Sequence, residues 1–67
     1  MYTADDYVVR VEHHYGEYVG LVSEFPSLSN VADTRAEAEA GMRALLADVL
    51  RDLVDSNEHV PTPLISA

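Results

Sequence analysis

The chain contains no cysteine and no lysine, and each absence narrows what it can be. Without cysteine there is no disulfide and no thiolate zinc site, so 67 residues must hold together through their core or through self-association. A domain of this size buries only about 60% of the surface its unfolded chain exposes, which makes that core thin. Without lysine, four arginines face twelve Asp and Glu, and the formal charge is −8. Such a field repels phosphate backbones, which disfavours direct nucleic-acid binding; it attracts and steers a basic protein. No stretch approaches the roughly 20 apolar residues that cross a bilayer. The opening Met1-Tyr2-Thr3-Ala4-Asp5-Asp6 has neither the basic residues nor the following apolar run of a signal peptide, so the expected location is cytoplasmic, away from membranes. Internal repeats and low-complexity segments are lacking too.

What is present is enough apolar sequence to fold, at 48% of residues. Tyr7 to Glu12 alternates, with Tyr7, Val9 and Val11 on one side and Val8, Arg10 and Glu12 on the other, which predicts a strand. His13-His14-Tyr15-Gly16-Glu17 follows as a loop in which Gly16 supplies positive φ, and Tyr18 to Val22 reads as the returning strand. Tyr7 and Tyr18 then become expected cross-strand partners. Phe25-Pro26-Ser27 breaks the pattern, because proline cannot donate to a ladder. Leu28 to Ala32 is a weaker third strand.

Thr34-Arg35-Ala36-Glu37 fits a capping box and starts a helix running to about Asp55. Ala38, Met42, Leu45, Leu46, Val49, Leu50 and Leu53 recur at steps of three and four, an apolar stripe wide enough to cover a sheet. Three i,i+4 ion pairs are expected on the remaining surface: Arg35 with Glu39, Glu39 with Arg43, and Arg51 with Asp55. Asn57 tolerates the left-handed conformation of a helix end. Beyond it, Pro61-Thr62-Pro63 favours an extended exit, and Leu64-Ile65 is a candidate fourth strand at a sheet edge. The expected fold is α+β: a three-stranded antiparallel sheet with one long helix on one face, a single domain over residues 1–67.

The order of these elements resembles the HicB family of toxin–antitoxin antitoxins. Tyr18-Val19-Gly20-Leu21-Val22 is similar to the family's second strand, Glu24-Phe25-Pro26-Ser27-Leu28 to its turn, and Ala32-Asp33-Thr34-Arg35-Ala36-Glu37-Ala38 to its helix start. Pro61-Thr62-Pro63 resembles the proline pair after the family's helix. Ser27, Ala32 and Asn57 stand where the family often has glycine, so the turns are variants. The resemblance implies a partial ribonuclease-H-like fold and a partner, a small basic HicA-like toxin ribonuclease that the chain neutralises by binding. Many family members continue into a DNA-binding module; this chain reads as a short form without one, unable to repress transcription by itself.

The candidate partner-binding residues are Glu24 and Phe25 at the turn and Glu37, Asp48, Asp52 and Asp55 on the outer helix face. That face is either a docking surface or a solvated one, and Phe25 either an exposed anchor or a core residue. No cofactor, metal site or catalytic residue is expected. His13 and His14, adjacent at a strand end, would point to opposite faces, and no Ser/His/Asp constellation or phosphate loop is present. A homodimer or higher oligomer is expected, since so small a sheet leaves its edges open. Two alternatives remain: an orphan oligomeric structural or regulatory module without a toxin, and a metal-dependent nuclease using Asp5, Asp6, Glu12, Glu17 or Glu24, which the fold alone does not confer.

Overall fold

The computed structural model describes residues 2–64. A 3-10 turn, Ala4–Asp6, precedes three strands, β1 (Arg10–His14), β2 (Glu17–Leu21) and β3 (Ser29–Ala32), and one helix, α1 (Arg35–Asp55). The sheet is antiparallel in the order β1-β2-β3, and α1 lies across one face, making the α+β arrangement that the sequence predicts. Leu64 is not in a strand, and Ile65, the other half of the expected fourth strand, lies outside the described residues.

The hairpin is tighter than its sequence suggests. Tyr15 and Gly16 both have positive φ, at 50° and 82°, which gives a two-residue loop and lets the ladder run to the His14–Glu17 pair. β1 is therefore displaced towards the turn, and Tyr7 to Val9 precede it without a ladder partner. The register sets His13 opposite Tyr18, their rings stacked at 4.3 Å, so the expected Tyr7–Tyr18 pair does not form. Tyr7 instead enters the core. Two-residue loops of this kind favour Asn-Gly, and the Tyr15 ring is fully exposed. Tyr15→Asn is accordingly expected to stabilise the chain by about 0.5–1 kcal/mol, read as a rise of several degrees in the thermal midpoint.

α1 begins as the sequence indicates. The Thr34 hydroxyl accepts the Glu37 N–H at 3.1 Å. The Glu37 carboxylate accepts the hydroxyl proton at 2.8 Å, in place of the Thr34 N–H expected of a capping box. The helix ends in a left-handed Asn57, φ 58°, with Glu58 N–H donating to Leu53 O and Asn57 N–H to Val54 O, the Schellman arrangement. Of the expected ion pairs only Glu39–Arg43 forms, at 3.3 Å. Arg51 takes Asp48 instead, and Arg35 reaches back to the sheet, over the Tyr18 ring and onto the Val11 carbonyl.

The apolar stripe of α1 faces the sheet. Its i,i+4 line Ala38, Met42, Leu46, Leu50 is fully buried, with Leu45, Val49 and Leu53 half-buried beside it. Tyr7, Val22 and Phe25 complete the core from below. Each of the larger of these side chains stabilises the fold by about 1.5–3 kcal/mol on full burial. Among the described residues nothing packs over the other face of the sheet, and Val31 is 55% exposed there.

Candidate functional site

With 3.6 residues per turn, Glu37 and Asp55 fall on one line along α1, and Asp48 and Asp52 lie within about 60° of it. All four are exposed. The structure thus gathers four of the six sequence-predicted residues into one acidic ridge about 27 Å long, at 1.5 Å rise per residue. Its interior cation, Arg51, is engaged: its guanidinium donates to Asp48 at 2.5 Å. Asp52 and Asp55, unlike Asp48, gain nothing locally from their charge. Both sit at the negative end of the helix dipole, and the last turn carries no basic residue.

The remaining two residues are elsewhere. Phe25 is only 8% exposed and packs edge-on against Tyr7 with ring centroids 5.5 Å apart, so it belongs to the core and offers no anchor. Pro26 turns the chain there, and the Phe25 backbone closes the turn by accepting the Leu28 N–H. Glu24 is half-buried, and its carboxylate accepts the Leu64 N–H at 2.6 Å, which ties the C-terminal segment down. Its role is internal.

Next to the ridge runs an apolar groove that the sequence reading overlooked. It is lined by Tyr2, Ala4, Ala47, Leu50 and Val54, with Arg51 on its rim. One wall is the N-terminal segment. Asp6 accepts the Thr3 N–H at 2.7 Å to close the 3-10 turn, Asp5 lies 3.7 Å from Arg43, and the turn docks on α1. The signal was available: Thr3 and Asp6 are spaced as cap and acceptor, and Tyr2 and Ala4 flank them with apolar surface.

Among the described residues no group of three His, Asp or Glu side chains is placed to hold a metal ion. His14 bonds Glu12 at 2.8 Å on the open sheet face, while His13 stacks on Tyr18 under the other. The His14 hydrogen bond, assisted by the charge of Arg10, holds the Glu12 carboxyl below the usual carboxylate value. Among the described residues no helix is long and apolar enough to cross a membrane. No family model, curated protein or solved structure gives a significant match to the chain.

Proposed function

We propose that this chain is a non-catalytic, HicB-type antitoxin that neutralises a small basic ribonuclease in the cytoplasm by covering its surface. The observation that carries the reading is the acidic ridge of α1 beside the apolar groove. A charged rim next to an apolar groove is the anatomy of a protein-binding surface: the ridge steers and orients a basic partner, and the groove takes one apolar side chain to hold it. The charge of −8 and the order of sequence motifs support the same partner. Nothing in this mechanism requires a bond to be made or broken by the chain; occlusion suffices.

The test uses the product of an adjoining gene of basic composition. The triple variant Asp48→Asn, Asp52→Asn, Asp55→Asn should bind it 10-fold or more weakly at low salt, and binding should lose much of its salt dependence. Helical circular dichroism should be unchanged. Equal affinity and equal salt slope for both forms, or a ribonuclease left active by the bound chain, sinks the reading. The second reading, an orphan oligomeric module, is supported by the β3 edge, with which nothing pairs among the described residues, and is favoured if no basic neighbour exists.

A further inference from the structure

The two edges of the sheet differ. Hydrogen-bonded and non-hydrogen-bonded pairs alternate outward from the His14–Glu17 pair that closes the two-residue loop, so Glu12–Val19 is bonded and the Val11 backbone groups point out of the β1 edge. There Arg35, reaching from the start of α1, donates to the Val11 carbonyl at 3.2 Å. A cation on an outward carbonyl blocks a further strand. On the opposite edge the same alternation bonds Gly20 to Asn30 and Tyr18 to Ala32, and turns the backbone groups of Ser29 and Val31 outward. Among the described residues nothing pairs with that edge.

β3 is also uncharged in a chain of charge −8, with no proline and no lysine to repel another strand. We propose that the chain forms a dimer by pairing β3 with β3 of a second copy, antiparallel about a two-fold axis at Val31. In this register the two Val31 residues exchange both backbone hydrogen bonds and cover each other's exposed side chains. At each end, Ser29 stands opposite Asp33 of the second copy on the same face, a hydroxyl donor against a carboxylate. The edge is thus complementary to itself, as a two-fold interface requires: its central residues Ser29 to Ala32 carry no charge, and the Asp33 at each end meets a hydroxyl of the other copy. The three-stranded sheet becomes continuous across both copies, and the acidic ridge of α1 stays free. The inference is independent of the function proposed above.

Sedimentation velocity from micromolar to millimolar concentration should give about twice the 7.4 kDa chain mass. Val31→Pro removes an outward N–H that the isolated fold does not use, and Val31→Lys places a charge on the edge; both should be monomeric with unchanged helical circular dichroism. If the proline variant misfolds, the lysine variant decides. Ser29→Lys should tighten the dimer several-fold, because its ammonium would meet Asp33 of the other copy at both ends. A wild type that is monomeric throughout, including one that gains a strand only from a different protein, overturns the proposal. So does a folded Val31→Lys that remains a dimer, or a Ser29→Lys that does not tighten.

Discussion

Gly20→Val is expected to leave the chain unfolded at room temperature. Gly20 sits in the middle of β2 on the face that α1 crosses. A Cβ there would lie 2.6 Å from the Ala38 carbonyl oxygen and 2.8 Å from the Met42 Cβ. Both obstacles belong to the helix backbone or its first side-chain atom, so neither can swing aside, and the helix must lift from the sheet. Overpacking of a core costs about 1–3 kcal/mol even where neighbours yield. A rigid clash under the main core helix exceeds that, in a domain whose stability starts at the low end of roughly 5–15 kcal/mol. Urea titration followed by circular dichroism should show Gly20→Ala strongly weakened and Gly20→Val without a folded baseline. Two other glycines give the contrast. A Cβ on Gly16 meets nothing within 4 Å, so its substitution costs only the left-handed strain of φ 82°, about 1–2 kcal/mol. On Gly41, a Cβ meets the end of the Asn30 side chain, which can rotate away at the loss of a 3.4 Å bond to the Ala38 carbonyl. The better helix propensity of alanine, worth about 1 kcal/mol, largely offsets that loss.

Close approach of this kind is what the sequence conceals. The alternation and the 3.6-residue period made strands, helix and stripe legible, because burial on one face writes its period directly into residue type. Thr34 and Asn57 likewise announced the helix ends, since their side-chain and backbone chemistry acts within a few residues. A glycine in a strand, by contrast, reads as a weak point until the element that lies on it is known. The strand ends slipped for a related reason. Tyr15 is an unexpected residue at positive φ, and only the two-residue loop it makes with Gly16 sets the register that separates Tyr7 from Tyr18. Of the candidate site, the acids of α1 were legible because helical spacing alone aligns them. Glu24 was not, and Phe25 stayed open between anchor and core, because their fates depend on Leu64 and Tyr7, 40 and 18 residues away in sequence, and side-chain type does not report such contacts. The groove beside the ridge was missed because it lies between segments at opposite ends of the chain.

Tyr7 should prove the most costly residue to truncate, and the two halves of its side chain should separate by pH. The ring is fully buried, edge-on to Phe25 at 5.5 Å and to Tyr2 at 6.2 Å, so Tyr7→Ala removes the aromatic centre of the core at about 3–5 kcal/mol. Tyr7→Phe keeps the ring and removes only the hydroxyl, which donates to the Pro61 carbonyl at 2.5 Å and pins the segment after α1. That should cost about 1 kcal/mol, because Pro61 is partly exposed and water can replace the donor. Burial first, and then the nearby Glu24 carboxylate, raise the Tyr7 phenol above its usual value of 10.0. The folded state therefore holds this proton more tightly than the unfolded chain does. The associated stability is complete below pH 10 and falls as pH rises through the raised folded value, by up to about 1.4 kcal/mol per pH unit. Measured against Tyr7→Phe under identical conditions, which cancels the other tyrosines, the wild type should lose its advantage only above pH 10. A phenolate cannot donate to Pro61, so the same titration should release the segment that Tyr7 holds, visible as faster amide exchange around Val60 to Leu64 before the helix itself melts. A difference between the two proteins that stays constant to pH 12 would mean the hydroxyl is solvated in the folded state and contributes nothing beyond its ring.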